Sequence, residues 1–388
     1  MNLFLFLAGA LTFTLIFGKL IERLRVPWVF ASLFLGLLLS IWNPFAAITT
    51  SETFNFLSEL GMYFLLFMIG LELDIRAMFR QGRLIFGLAA GLALAESFFG
   101  TLFTHAFFDI SWGVAILAAA SFATVGEAIL VPILDEFKIV KTKFGQMMLG
   151  IGTLDDIVEL TTIIAAAVFL GTATGHSDFS ILTNALILGG LFIAPLFLEL
   201  FRTQVKHLQF KQIPPLFLFG LISLFAFVGV GSFVESAALG AIFAGVALKN
   251  LLSTERLERF ESIVRTVAYG LFVPIFFLQV GSEVNLEYLV SAPLLILAVF
   301  TITILTKIGI CYFGARKELG GKQAILLGVG LSAKFSTSIV ILTMLFNRHF
   351  IDSEMFSILI GAMIASQFMI PVTFSLLLQK WKLKFQRQ

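Results

Sequence analysis

The chain has 388 residues, of which 59% are hydrophobic and 13% are charged, with a formal net charge of +2. Soluble domains carry about 25% charged residues, so this composition excludes a soluble globular protein and predicts a polytopic, all-α membrane protein. A single cysteine, Cys311, excludes an intrachain disulfide, and the small net charge gives no indication of nucleic-acid binding.

Long apolar stretches, separated by short segments rich in polar and turn-forming residues, predict about thirteen transmembrane helices along the chain. In chain order they cover residues 2–20, 27–42, 54–72, 83–105, 112–134, 145–171, 179–201, 213–231, 234–250, 265–283, 289–312, 322–346 and 353–379. No basic residue precedes the apolar stretch of the first predicted helix, so we expect a retained transmembrane span and not a cleaved signal peptide. The connections are short, so we expect no attached nucleotide-binding domain, and residues 380–388 are expected to form a short cytoplasmic tail.

The distribution of lysine and arginine orients these spans. Of the 26 basic residues, 23 fall on one predicted side of the membrane, Arg348 falls on the other, and Lys307 and Lys334 lie within spans. Because cytoplasmic loops carry the excess of basic residues, the pattern predicts an outside N-terminus and a cytoplasmic C-terminus. We expect a multi-pass protein of the plasma membrane, the inner membrane of a bacterium.

Two adjacent acids, Asp155 and Asp156, lie near the middle of the sixth predicted span. Ionisable side chains at this depth cost at least about 2.5 kcal/mol each on insertion scales, so they indicate a function. Neighbouring helical residues point about 100° apart, which gives the two carboxylates different surroundings. A carboxylate whose burial favours the protonated form and whose charged neighbours favour the ionised form can bind either a proton or a small cation. This competition is the basis of antiport. Glu159, one turn later, is a candidate cavity acid.

Two more ionisable residues fall within predicted spans. Lys307, in the eleventh span, either extends its amine to the membrane surface or neutralises one of the aspartates, with Asp155 as the expected partner. Glu96, in the fourth span, is a cavity or packing acid for which the sequence shows no partner.

Two predicted spans are interrupted by polar residues, glycine or proline, and both are expected to be locally unwound. The fifth contains Thr124 and Glu127, and the twelfth contains Lys334 and Ser336. Each is the middle member of a three-helix group, and the two groups begin on opposite sides of the membrane. Broken helices at corresponding positions of inverted repeats point to a transport site at the midplane. Glu127 and Lys334 are expected to compensate each other there, or Glu127 contacts the cation.

The motifs TLDD at Thr153 to Asp156 and TKIG at Thr306 to Gly309, with the thirteen-span layout and the two interruptions, resemble the sodium/proton antiporters of the cation:proton antiporter superfamily. The nearest pattern is the NapA type, with Kef-type potassium efflux systems as relatives. The resemblance implies that Asp156 binds Na⁺, that Asp155 pairs with Lys307, and that loss of a proton from this lysine makes exchange electrogenic.

The same resemblance implies an NhaA/NapA-like arrangement of inverted repeats with two broken crossing helices. Residues 83–171 and 289–379 would form a moving ion-transport core, and residues 1–72 and 213–283 would form a dimerisation scaffold. Residues 179–201 would link the two, and transport would follow an elevator-like movement in a homodimer. This chain departs from many relatives by carrying Lys334 and Ser336 where they have an arginine and a glutamate.

The predicted function is therefore exchange of a monovalent cation, Na⁺ before Li⁺ or K⁺, for protons by a transporter that is not an enzyme and needs no cofactor. The alternatives are a potassium/proton antiporter of the Kef type and a sodium-coupled symporter of similar architecture. An intramembrane aspartyl protease is disfavoured because its two aspartates must face each other from separate helices, whereas Asp155 and Asp156 are neighbours.

Overall fold

The computed structural model describes residues 2–23, 27–72, 82–125, 134, 139, 142–173, 181–199, 213–233, 237–333, 336–381 and 383. Within these ranges the regular secondary structure is helical. The side chains of some helical residues, including Asp156, Glu159 and Ser336, lie outside the description.

The helices are labelled in chain order. The first eight are α1 (Leu3–Glu22), α2 (Phe30–Ile41), α3 (Ala46–Thr49), α4 (Glu52–Glu72), α5 (Arg83–Phe108), α6 (Trp112–Phe122), α7 (Lys143–Ala173) and α8 (Ile181–Glu199). They are followed by α9 (Ile213–Ser232), α10 (Ala237–Leu251), α11 (Thr254–Val267), a π-helical turn (Ala268–Phe272), α12 (Val273–Glu283) and α13 (Leu286–Ser291). The last four are α14 (Pro293–Leu319), α15 (Gly321–Leu331), α16 (Ser336–Asn347) and α17 (Ser353–Trp381).

A described helix overlaps each predicted span, although in the fifth span the described helix covers only Trp112–Phe122. Seven helical stretches of the described chain are long and apolar enough to cross a membrane, namely Leu3–Glu22, Glu52–Leu71, Arg83–Phe108, Pro214–Ser232, Glu255–Glu283, Pro293–Leu319 and Ser353–Trp381. The protein is therefore an all-helical, multi-pass membrane protein. The count of thirteen crossings and the orientation stay predictions.

A polar helix precedes the tenth predicted span. Residues 253–265 begin with a capping Ser or Thr and contain the i,i+4 pairs Glu255–Arg259 and Glu261–Arg265, which predict an interfacial helix. The structure confirms the helix, because helical backbone runs from Thr254 through the π-helical turn to Glu283 and both ion pairs form. Its position at the membrane surface stays a prediction.

The chain divides into two compact units. The first comprises residues 1–11, 45–73 and 163–279. Its helices α4 and α10 approach closely at two glycines, because a Cβ at Gly70 would overlap the Ile242 carbonyl and one at Gly245 would overlap the Phe67 carbonyl. Small residues at such crossings let two backbones pack closely, which is the usual basis of helix association in membranes.

The second unit comprises residues 12–44, 74–162 and 280–388, and it contains the ionisable residues singled out above. Helix α15 packs directly on α14 at Gly328. A Cβ at this glycine would lie 2.5 Å from the Cα of Ile308 and 2.8 Å from the carbonyl oxygen of Lys307. The close approach brings the C-terminal end of α15 to the level of Lys307. The division into scaffold, linking helix and moving core concerns motion and stays a prediction.

Candidate functional site

Lys307, in the middle of α14, is the centre of a buried polar site. Its side chain is fully buried. Its Nζ donates hydrogen bonds to the carbonyl oxygens of Thr124, at 2.9 Å, and Leu331, at 2.8 Å. The amine therefore ends inside the protein and does not extend to the membrane surface, which removes one of the two alternatives that the sequence left open.

The carboxylate in ion-pair contact with this lysine is that of Glu96, in α5. Its Oε2 lies 3.1 Å from Nζ, and the side chain of Glu96 is 2% exposed. The sequence showed no partner for Glu96, because its partner lies on a helix distant in the chain. Two unmatched ionisable residues of opposite sign, each within an apolar span, were the available signal for this pairing.

Lys307 also lies where two helices end. Helix α6 ends at Phe122 with Ala123 as its C-cap, and Thr124 follows. Helix α15 ends at Leu331, and Ser332 is its C-cap. The last carbonyls of a helix lack partners within it and carry about half a negative charge, so an ammonium there is favourable. Lys307 satisfies the carbonyl of Leu331, the last residue of α15, and that of Thr124, two residues beyond the end of α6.

The sequence predicts that Glu127 and Lys334 compensate each other where the two interrupted helices meet. Both residues lie outside the described part of the chain. The contacts that the structure does describe at these two helix ends come from Lys307, on a third helix, whose proximity to both is a tertiary feature without a local sequence signal.

Three hydroxyl-bearing residues connect the end of α6 to the first turns of α16. Ser338 Oγ donates to the carbonyl oxygen of Ser121 at 2.6 Å and lies 3.0 Å from Thr124 Oγ1. Thr124 Oγ1 also donates to the Ser121 carbonyl oxygen at 3.2 Å. All three side chains are buried. Thr124, a predicted residue of the interruption in the fifth span, therefore lies at the junction between the end of α6 and the start of α16. Ser338 lies at the same junction, and the sequence did not indicate it.

Asp155 reaches the same junction from α7. Its side chain is 5% exposed, and its Oδ2 accepts a hydrogen bond from the Val125 N–H at 2.5 Å. The Val125 N–H and the Thr124 carbonyl belong to one trans peptide group. These two groups point in opposite directions, so Asp155 and Lys307 bind opposite sides of that peptide. Straight hydrogen bonds would place Nζ and Oδ2 roughly 7 Å apart.

Of the predicted site residues, the structure thus brings Lys307, Thr124 and Asp155 to one place. Asp156 follows Asp155 within α7, so its Cβ points about 100° away around the helix axis. The side chains of Asp156, Glu159 and Ser336 lie outside the described residues, and their predicted roles stay predictions.

A small cavity adjoins Glu96 on α5. Its volume is about 20 Å³, enough for about one water molecule. It is lined by Glu96, Gly100, Phe103, Thr104, Ala118 and Thr303, among others. These walls are mostly apolar, so solvent screening of the Glu96–Lys307 ion pair is weak.

Similar proteins are cation/proton antiporters. A Na⁺/H⁺ antiporter from Enterococcus hirae is 26% identical over 374 residues, which cover 92% of this chain and 94% of that protein. The Na⁺/H⁺-K⁺ antiporter GerN from Bacillus cereus is 26% identical over 330 residues, covering 84% of this chain and 83% of its own. The glutathione-regulated potassium-efflux protein KefC from an Enterobacter strain is 27% identical over 334 residues, and the match covers 51% of it.

A solved structure supports the same fold. The sodium proton antiporter MjNhaP1 from Methanocaldococcus jannaschii superimposes with a TM-score of 0.62 and 19% identity, over 97% of this chain and 96% of that one. The model of the transmembrane sodium/hydrogen exchanger family matches residues 9–380. The resemblance to cation:proton antiporters is thereby confirmed, and the chain belongs to the sodium/hydrogen exchanger family.

Proposed function

We propose that this protein exchanges Na⁺ for protons across a membrane, and that Asp156 and Asp155 are the carboxylates at which the two ions compete. One observation carries the proposal: the buried Asp155 carboxylate binds the Val125 N–H just beyond the end of α6. A carboxylate held in the second unit beside a helix end and a buried lysine is expensive to maintain unless it serves ion binding.

The chemistry follows from competition for negative charge. Asp156, next to Asp155 on α7, is the proposed Na⁺ ligand, and it carries a proton when no cation is bound. The two ions exclude each other because one carboxylate oxygen cannot hold both a proton and a closely coordinated cation. Oxygen atoms at the helix interruptions, including those of Thr124 and Ser336, are proposed to complete the cation shell, and Glu159 is proposed to line the route.

The proposed movement is elevator-like. Residues 83–171 and 289–379 would carry the site past a dimerisation scaffold of residues 1–72 and 213–283, with residues 179–201 as the linking helix. The protein would act as a homodimer in a bacterial inner membrane, with its C-terminus in the cytoplasm. The inverted-repeat pattern of the two interrupted helices and the excess of basic residues on one predicted side support this arrangement.

The cation is proposed to be Na⁺, because two adjacent carboxylates and a lysine form a compact site of high charge density. K⁺ is the second candidate, favoured by the naming of GerN as a Na⁺/H⁺-K⁺ antiporter and of KefC as a potassium-efflux protein. The resemblance implies electrogenic exchange, which requires Lys307 to release a proton when the cation binds. Release of that proton depends on which carboxylate forms the ion pair with Lys307.

Reconstitution into proteoliposomes tests the proposal. Inward and outward gradients of Na⁺, Li⁺ or K⁺ are imposed, and proton movement is followed with a trapped pH-sensitive dye. We expect Na⁺-driven proton movement in the wild type and none in Asp156→Asn, because an amide neither ionises nor carries an exchangeable carboxyl proton.

The matched control is Asp109→Asn. Asp109 is exposed at the end of α5 with a φ of 48°, a conformation that asparagine also adopts, so this variant should transport normally. Na⁺-driven proton movement in Asp156→Asn at the wild-type rate would contradict the assignment. Proton movement driven by K⁺ but not by Na⁺ would transfer the proposal to potassium/proton exchange.

A further inference from the structure

We propose that Ser338, in α16, is a positioning residue for the transported cation. It fixes the direction of the Thr124 hydroxyl, so that Thr124 Oγ1 turns its lone pairs, and not its proton, toward Na⁺. This role rests on the proposed exchange function and deepens it, because it assigns part of the affinity for the cation to a residue that does not itself contact the ion.

Thr124 lies next to one of the proposed ion-binding carboxylates. The N–H that follows it in the chain, that of Val125, donates to Asp155 Oδ2, and the Thr124 carbonyl oxygen accepts a hydrogen bond from Lys307 Nζ at 2.9 Å. These two hydrogen bonds hold the peptide group from both sides. A single side-chain torsion separates Oγ1 of threonine from its backbone, so the position of Oγ1 follows from this backbone and one rotamer. The direction of the hydroxyl proton is the remaining freedom.

Three oxygens at this junction share two hydroxyl protons. The carbonyl oxygen of Ser121 carries no proton and can only accept. Ser338 Oγ donates to it at 2.6 Å, which is the shortest of the three contacts. The hydroxyl of Thr124 has two acceptors within reach, the Ser121 carbonyl oxygen at 3.2 Å and Ser338 Oγ at 3.0 Å. Whichever of the two accepts it, the Thr124 proton stays inside the junction.

The direction of this proton determines what Thr124 Oγ1 offers to a cation. A hydroxyl has one donor and two lone pairs, and because Ser338 gives its own proton to the carbonyl, it does not occupy a lone pair of Thr124 Oγ1. Oxygen lone pairs replace the hydration shell of a monovalent cation, whereas a hydroxyl proton that points at the ion repels it. A hydroxyl that donates to a second hydroxyl, which donates in turn, is also polarised into a stronger acceptor.

Removal of the Ser338 hydroxyl leaves the ligand oxygen in place but loosens its direction. The acceptor that then remains at the junction is the Ser121 carbonyl, at 3.2 Å the longest of the three contacts. The three side chains are buried, so bulk water does not replace the missing hydroxyl. The Thr124 proton can then rotate toward the position of the cation, and each Na⁺ that binds has to turn it back.

The experiment is a double-mutant cycle on cation affinity. The half-saturating Na⁺ concentration and the maximal rate of proton movement per reconstituted protein are measured in proteoliposomes at one fixed pH, for the wild type, Ser338→Ala, Thr124→Val and both changes combined. The orientation that one hydrogen bond supplies should be worth about a fivefold rise in the half-saturating concentration in Ser338→Ala. Thr124→Val removes Oγ1 itself and should raise it at least as much. The combined variant should equal Thr124→Val, because Ser338 acts through Thr124.

A merely structural role of Ser338 predicts a different pattern. It would lower the maximal rate without moving the half-saturating concentration, or its effect would multiply with that of Thr124→Val. The matched control is Thr343→Val. Thr343 is also buried on α16, and among the described residues its hydroxyl has no hydrogen-bond partner. Loss of this hydroxyl should leave the half-saturating Na⁺ concentration unchanged.

Ser338→Cys weakens the donor while keeping a side chain of similar shape, so it tests the proposal even if Ser338→Ala does not fold. We expect a half-saturating Na⁺ concentration between those of the wild type and Ser338→Ala. A wild-type value in Ser338→Ala or Ser338→Cys would overturn the proposal, and so would multiplied effects in the combined variant. Absence of Na⁺-driven proton movement in the wild type would instead refute the proposed function itself, so the two failures are distinguishable in the same vesicles.

Discussion

Separating the charges of Glu96 and Lys307 should destabilise the folded protein strongly. The perturbation is a double-mutant cycle comprising Glu96→Gln, Lys307→Met and the two changes combined. Glutamine keeps the shape of glutamate without its charge, and methionine keeps much of the length of lysine without its donors. Each single variant leaves one buried ion without its partner, whereas the combined variant leaves neither charge.

The expected magnitude follows from distance and burial. At 3.1 Å, unit charges attract by about 5 kcal/mol when the effective dielectric constant is about 20. Breaking a buried pair costs about 3–5 kcal/mol, whereas replacing both partners is much less costly. Lys307→Met also loses the hydrogen bonds to the two helix-end carbonyls, so it should be the less stable single variant. The combined variant should be more stable than Lys307→Met alone.

Thermal unfolding in detergent, followed by intrinsic fluorescence, measures the effect. An unfolding entropy of about 2.1 cal/mol/K per residue over 388 residues converts 3–5 kcal/mol into roughly 4–6 °C. The exposed pair Lys143–Glu318 provides the control cycle, where loss of either partner should leave the melting temperature nearly unchanged because solvent screens the two charges.

The reasoning would be refuted if both single variants of the buried pair melted within about 1 °C of the wild type. Strictly additive effects of the two changes would refute it as well, because they would show that the two charges do not interact in the folded protein.

Two further stability predictions concern the same unit. Gly328→Ala should destabilise the protein by about 1–3 kcal/mol and slow exchange, because its Cβ would overlap the α14 backbone at Lys307; Gly309→Ala, which has no neighbour within 4 Å, should be tolerated. Equal melting temperatures of these two variants would contradict the packing argument. Ser338→Ala should cost about 1–2 kcal/mol in the same melting assay by leaving a buried carbonyl in the last turn of α6 without this donor, whereas Ser232→Ala, at an exposed hydroxyl, should cost less than 0.5 kcal/mol. A smaller loss for Ser338→Ala than for Ser232→Ala would contradict the assigned hydrogen bond.

Much of the helical architecture could be predicted from the sequence. A span such as α14 is recognisable from its long apolar run. Each residue of a span contributes separately to the free energy of membrane insertion, so the sum can be estimated from the sequence alone. The polar start of α11 is predicted by a different signal, a capping Ser or Thr followed by i,i+4 pairs such as Glu255–Arg259. The structure confirms the helix and the pair, because both depend on residues that are close in the sequence.

The candidate site was predictable residue by residue but not contact by contact. Asp155, Lys307 and Thr124 were identified because each is polar or ionisable where apolar residues are expected. Their grouping around one peptide group was not predictable. Neither was the ion pair of Lys307 with Glu96, because no spacing rule connects two residues on separate helices.

The sequence by itself determined that this chain enters a membrane as helices and that it places acids and a lysine at membrane depth, since both properties depend on side-chain chemistry and position along a span. Only the tertiary structure decided which acid neutralises Lys307. That choice depends on the close approach of α15 to α14 at Gly328, on the ends of α6 and α15 meeting at Nζ, and on α5 presenting Glu96 from the side. Coulomb and hydrogen-bond energies vary over ångströms, and those distances are set by helix packing that spans more than two hundred residues of chain between Glu96 and Lys307.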